Sequence, residues 1–177
     1  MLLGFVTSGS VADESLFKTF GDDYLLDNEF KKTKEKKVDT IIPAFPKNKD
    51  LIPIQMEHAT RKFYIDAKSL SVPKDQIPRY TVVIESPSGT RSVYYEAVRC
   101  HDKHYKTYAY GDVKKKKFIV LQNPQWKAIT NTTGPFRYRT DLVGVFMCNQ
   151  EVARRKVREI VQALKYPPEL NAPEMTD

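Results

Sequence analysis

Apolar and β-branched residues are densest between Arg79 and Cys100, in two short arms on either side of Ser86-Pro87-Ser88-Gly89. Arms of this composition, separated by turn formers, predict an antiparallel hairpin. With Ser88-Gly89 as a two-residue loop, Ile84 faces Val93, Val82 faces Tyr95 and Tyr80 faces Ala97. Those six make the single apolar face that a half-buried hairpin requires. The reverse face then carries Thr81, Glu85, Ser92 and Glu96, with Val83 and Tyr94 among them. Upstream, Ile52, Ile54, Met56 and His58 alternate through a first strand, which Pro53 confines to a sheet edge or to the strand's first residues. Phe63 to Asp66 forms a second strand, and Ser69 to Pro78 is a loop rich in turn residues. Lys106 to Tyr110 and Phe118 to Leu121 add further strands, with Gly111-Asp112 turning between them and Trp126 anchoring a later loop against the sheet.

Past Asn149 the period becomes helical. Ala153, Val157, Ile160, Val161 and Leu164 share one face from Gln150 to Lys165, while Arg154, Arg155, Arg158 and Lys165 fall on the other. Asn149 supplies the N-cap and Pro167-Pro168 the stop. The pattern therefore predicts an α+β domain: an antiparallel sheet of about five or six strands with a C-terminal amphipathic helix packed on one face. The domain spans 43–166, entered through the extended, proline-restricted Ile42-Pro43-Ala44-Phe45-Pro46. Residues 13–42 make a flexible or partly docked segment with a lysine run, and 167–177 a disordered tail. Residues 1–12 end in small residues, with Ser10 and Ala12 at the spacing a signal peptidase accepts. They are expected to be the remnant of a signal peptide whose start lies further upstream.

Composition narrows the picture only a little. The chain has 177 residues, 41% of them apolar, and a formal charge of +7. Its pI is about 9.3 and its mean hydropathy −0.52. That suffices for one domain with a core, and no run of about 18 apolar residues offers a membrane-spanning helix. The positive balance suits an anionic partner. Seven scattered glycines build no phosphate loop or dinucleotide fingerprint, so no cofactor is implied. Ser88 lacks the flanking glycines of a nucleophile elbow.

The motifs Pro43-Ala-Phe-Pro46, Leu51-Ile-Pro53, Phe63 to Asp66, Ser69 to Val72, Arg79-Tyr80-Thr81, Ser88-Gly89, Tyr95 to Cys100, Tyr108 to Gly111, Trp126 and Cys148 run in order along most of the chain. Together they resemble the CNP-one-like family, a bacterial envelope family named after a cryptic neisserial protein. Gln76-Ile77-Pro78 stands where that family tends to place Asp-Gly, and Lys114 to Lys117 replaces a more mixed turn. The resemblance implies export to the periplasm, or attachment to a membrane on the periplasmic side as a lipoprotein. It carries no catalytic residue over.

Against that background the leading reading of Cys100 and Cys148 is a disulfide with each other, and there are two alternatives. A disulfide would close a long loop, worth roughly 4 kcal/mol in the chain-entropy model, and export makes that chemistry available. Both thiols free is one. The other is zinc with His101 and His104, although adjacent Cys100 and His101 are awkward ligands for one ion. Among the carboxylates, Asp66, Glu85 and Glu96 are strand residues expected to face protein. Glu96, opposite Thr81 and diagonal to Arg79, is expected to form a cross-strand ion pair. As catalytic candidates the set is Glu96, Asp66 and Arg79. Anion-binding candidates are Lys114, Lys115, Lys116 and Lys117 with Arg154, Arg155 and Arg158. Tyr105, Tyr108 and Tyr110 beside Lys103, Lys106 and the lysine turn resemble a base-stacking platform, which export would separate from nucleic acid. The leading function is a non-enzymatic binding or structural module of the cell envelope, meeting an anionic wall polymer or lipid headgroups. A hydrolase using strand carboxylates is the alternative and a nucleic-acid binder the second.

Overall fold

Strands follow one another in sequence as a meander. The structure, a computed structural model, describes residues 41–56, 60–130, 136–154 and 156–167. The expected leader, most of the N-terminal segment, His58 and the tail beyond 167 lie outside the described residues. The main sheet orders β1 (Leu51–Ile54), β2 (Lys62–Ser71), β3 (Arg79–Glu85), β4 (Arg91–Arg99), β5 (His104–Asp112) and β6 (Lys117–Val120), all antiparallel. A seventh strand, β7 (Lys127–Ala128), pairs with the start of β5. Pro53 sits on β1 at the sheet edge, where its missing N–H costs no ladder bond. Near the other edge Trp126 packs against the sheet as expected, with the Arg99 guanidinium and the Lys106 ammonium each 4.6 Å from its ring centroid.

The central hairpin forms in a register one residue away from the expected one. Tyr80 pairs with Glu96, Thr81 with Tyr95, Val82 with Tyr94, Val83 with Val93 and Ile84 with Ser92. The loop has three residues, Pro87-Ser88-Gly89. Ser86 N–H donates to Thr90 O at 2.9 Å, Gly89 N–H donates to Ser86 O at 2.9 Å, and Gly89 takes φ of 79°. A type I turn followed by a left-handed glycine is the usual three-residue hairpin. Alternation could not choose this register because β3 is buried on both faces from Arg79 to Ile84. The slip matters: it puts Glu96 beside Tyr80, under the core, instead of opposite Thr81.

One face carries the larger core. Ile52, Ile54, Phe63, Ile65, Tyr80, Val82, Ile84 and Val98 project into it and are covered by the chain's last third. That cover is α1 (Tyr138–Asp141), continued by a π-helical segment Leu142–Met147, the two-strand ribbon β8 (Cys148–Asn149) and β9 (Val152–Ala153), and α2 (Val157–Lys165). The expected helix from 150 is therefore shorter. Gln150 takes φ of 56°, turning β8 into β9, and α2 starts after Lys156 with no side-chain cap. Ala153 is buried from the ribbon; only Ile160 and Leu164 of the helix are fully buried. The helical segment 138–147 was not foreseen at all. The second face holds a smaller cluster, Ile77, Tyr95, Ala97, Tyr108 and Ala109, with Ile42, Phe118 and Trp126 against it. Over this face runs the extended strap 41–47. Phe45 reaches Phe118 at 5.6 Å between ring centroids and lies on Gly111, where a Cβ would come within 2.8 Å of Phe45 Cε2 and 2.7 Å of Val93 Cβ. Only glycine admits the ring there.

Candidate functional site

Glu96 is completely buried and accepts five hydrogen bonds. Arg139 donates from Nη2 to Oε1 at 2.5 Å and from Nε to Oε2 at 3.1 Å. Thr107 Oγ1 donates to Oε1 at 3.0 Å; Tyr138 and Tyr80 hydroxyls donate to Oε2 at 2.9 and 3.3 Å. A carboxylate offers about four lone-pair directions, so this one is saturated. Arg139 is itself enclosed by rings, its Cζ 3.9 Å from the Tyr105 centroid and 4.8 Å from that of Tyr138. Burial, and then the charge of Glu96, push both phenols well above their ordinary range, so Tyr80 and Tyr138 stay protonated donors. Burial opposes the charge of Arg139, but its bonds to Glu96 outweigh that and raise its pKa. The group is a closed ion pair with no edge left for a substrate. The expected partner of Glu96 was Arg79; the register slip and α1 replaced it with Arg139.

Arg79 lies on the opposite face and forks onto Asp75, with Nη2 to Oδ2 at 2.6 Å and Nη1 to Oδ1 at 3.1 Å, both side chains buried. Asp75 Oδ1 also accepts the Ile77 N–H at 3.1 Å, so the pair pins the turn at Gln76, which has φ of 58°. Asp66 shares that second face, opposite Thr81 and Leu51. Burial raises its carboxyl pKa, and the charge of Asp50 adds to this, while the Lys68 N–H donates to Oδ1 at 3.3 Å. The three catalytic candidates thus do not converge: Glu96 is sealed on one face, while Asp66 and Arg79, the latter committed to Asp75, lie on the other.

The strap leaves two hollows along the second face. The smaller, about 330 Å³, is bounded by Phe45, Lys47, Lys49, Asp50, Asp66 and Lys68. The larger, about 720 Å³, lies between Phe45 to Asn48 and the sheet, with Leu51, Val83, Val93 and Val113 as walls and Lys47, Arg91 and Lys116 at its rim. Sequence reasoning named Lys116 but neither hollow. The signal was faint: a proline-framed Phe45 and a lone Gly111, 66 residues apart in the chain, that only the fold brings together.

Cys100 and Cys148 form a disulfide, with Cα atoms 5.8 Å apart, joining the end of β4 to the start of β8. With both sulfurs so used, the zinc set loses its thiolates. His104 Nδ1 lies 2.7 Å from Asp102 O, and the Asp102 carboxylate takes Arg99 Nε at 2.9 Å and Nη2 at 2.5 Å. Partial burial opposes it, but these bonds hold the Asp102 carboxyl below the usual range. The lysine turn is exposed and ordered by Asp112, whose Oδ1 accepts the Lys115 N–H at 3.0 Å. Arg158 and Lys165 are exposed on α2, whereas Arg154 turns inward and donates to Val145 O at 3.3 Å. Arg155 lies outside the described residues. The three tyrosines do not make one platform: Tyr108 is buried, Tyr105 stacks under Arg139, and Tyr110 alone is exposed.

These features define a class: a disulfide-clamped α+β domain whose sheet has one sealed face and one hollowed, basic-rimmed face. The sequence model of the CNP1-like family matches residues 28–165, well over half of the chain, and the protein belongs to that family. Comparison with curated proteins and with solved structures gives no match. Among the described residues no helix is long and apolar enough to cross a membrane.

Proposed function

We propose that this protein is exported and serves as a non-enzymatic binding or structural module of the bacterial cell envelope, docking on anionic groups there through its basic surface. The observation that carries the reading is the Cys100–Cys148 bridge, buried where the sheet meets its helical cover. Structural disulfides of this kind form and persist in oxidising compartments and are rare where glutathione keeps thiols reduced. Two further observations support it. Glu96, the strongest sequence candidate for acid–base work, spends all its lone pairs on internal donors, and Asp66 stands on the other face. The exposed cations Lys114 to Lys117, Arg158 and Lys165 suit an anionic polymer or headgroup layer, with Asp112 the one acid ordering the turn.

The test is fractionation of the native host with thiol trapping before and after reduction. Recovery from the periplasmic or membrane fraction with no alkylatable cysteine before reduction is expected. Cytoplasmic recovery with two free thiols overturns the reading. Envelope docking is read separately, as retention on anionic vesicles or wall fragments that falls steeply with added salt. No retention at low salt removes the docking half.

A further inference from the structure

The larger hollow has the composition of a ligand site, and its two parts ask for different things. Its walls come from five segments: Phe45 of the strap, Leu51 of β1, Val83 of β3, Val93 of β4, and Val113 of the β5–β6 turn. All are apolar. Its volume of about 720 Å³ lies within the usual range for small-molecule pockets, roughly 300–1,000 Å³. The rim is cationic. Lys47, Arg91 and Lys116 arrive from the strap, β4 and the lysine turn, and no carboxylate lines the hollow.

Among the described residues, only Arg91 of the three cations has an acidic partner. Its Nε donates to Glu85 at 2.8 Å and its Nη1 to Asn48 Oδ1 at 2.7 Å. Lys47 and Lys116 make no ion pair among the described residues. The neighbouring hollow beyond Phe45 shows that a lining without carboxylates is not a general property of the strap, for there three lysines face two carboxylates, Asp50 and Asp66. A sugar would need several polar groups along the walls, and the one side-chain amide present, Asn48, is taken by Arg91. The hollow also cannot close by simple settling of the strap. Phe45 is already in contact with Gly111, and Arg91 holds Asn48 on the far side, so the strap is fixed at both ends of the space it roofs.

We propose that this hollow binds a single-chain anionic amphiphile, an acyl chain along Phe45, Leu51, Val83, Val93 and Val113 with its carboxylate or phosphate head among Lys47, Arg91 and Lys116. Burying the chain supplies the affinity, roughly 0.8 kcal/mol for each CH₂ taken fully out of water. The head stays at the wet rim, where a charge pays little for desolvation and three cations select its sign. The inference shares Lys116 with the anionic docking surface proposed above, but it does not depend on export.

The probe is laurate below its micellar concentration, titrated calorimetrically into the full chain. Saturable one-to-one binding is expected, with at least tenfold weaker binding of dodecyl maltoside and of dodecyltrimethylammonium. Lys47→Glu with Lys116→Glu should weaken laurate at least tenfold, and Val113→Asp should do so from the apolar side; these residues are exposed, and unchanged thermal unfolding would confirm intact folding. Lys114→Glu with Lys115→Glu, outside the hollow, should leave laurate binding intact while reducing vesicle retention. Equal binding of the neutral or cationic detergent overturns the proposal, as does competition by inorganic phosphate, which would mark a headgroup-only anion site. No laurate binding alongside salt-sensitive retention on vesicles also overturns it and leaves the docking surface standing.

Discussion

On the face of the sheet that carries Tyr80, Val82 and Ile84, α1, the π-helical segment and α2 exclude water, and the disulfide ties that cover to the end of β4. On the face that carries Val83, Val93 and Tyr95, the strap and loops cover less and leave two hollows. Both faces hold ionised groups but, apart from the buried Arg79–Asp75 fork of the second face, under different terms. Glu96 and Arg139 are enclosed, so each must neutralise the other and every lone pair must find a donor. Asp66, Lys47 and Lys116 border space that water or a ligand can enter, so they can stay incompletely paired. A charge that is fully satisfied inside a protein stabilises or specifies the fold; one left at the edge of a cavity is available for binding.

That contrast is easiest to break at Glu96. Glu96→Ala leaves Arg139 buried without its counter-ion and should cost about 3–5 kcal/mol in urea unfolding. Glu96→Leu combined with Arg139→Met should recover most of that loss, because the pair as a whole gains little over well-packed apolar side chains. A single-site loss below about 1 kcal/mol would mean that water reaches the network, and the distinction between the faces would fail.

The disulfide comes next. Its 48-residue separation gives an upper figure of about 4 kcal/mol in the chain-entropy model, and measured values often fall short. Reduction should lower stability by roughly 2–4 kcal/mol. By hydrogen exchange it should loosen α2 and the β8–β9 ribbon before the β3–β4 hairpin, which keeps its own turn. Simultaneous loss of protection in both would show that the cover and the sheet are one cooperative unit.

The smallest effect is expected at Asp66. Because burial, aided by Asp50, raises its carboxyl pKa in the folded state, protonation favours folding. Its stabilising contribution is complete below the unfolded value of about 3.9 and is lost as pH rises through the raised folded value. At neutral pH the ionised carboxylate is therefore a cost. Asp66→Asn, which keeps an oxygen for the Lys68 N–H, should gain a little stability at pH 7 and flatten the stability profile above the unfolded carboxyl value. A loss at pH 7 would show that the charge is balanced by the lysines around the smaller hollow.

Val, Ile, Tyr and Phe in short runs between turn residues marked the strands, and Pro53 marked an edge. Ile160 and Leu164, four residues apart, marked the buried side of the last helix. The segment 138–147 escaped because its α-helical part is only Tyr138–Asp141; Tyr138, Leu142 and Phe146 at intervals of four were the trace it left. Arg154 looked like one of a basic stripe and instead caps a carbonyl, because the chain is a ribbon and not a helix at that point.

By itself, then, the sequence determined the α+β class, the core of the main sheet's six longer strands, the face of the terminal helix and the membership of the family, since each follows from periods of two or of 3.6 residues and from motifs in order. The two cysteines, in a chain expected to be exported, already pointed to a bridge, which the structure forms. Tertiary structure alone decided the hairpin register, the pairing of Glu96 with Arg139 and the hollow roofed by Phe45. When both faces of a strand are buried, alternation is silent about register. When partners stand about 40 residues apart or more, their meeting is decided by how the layers pack.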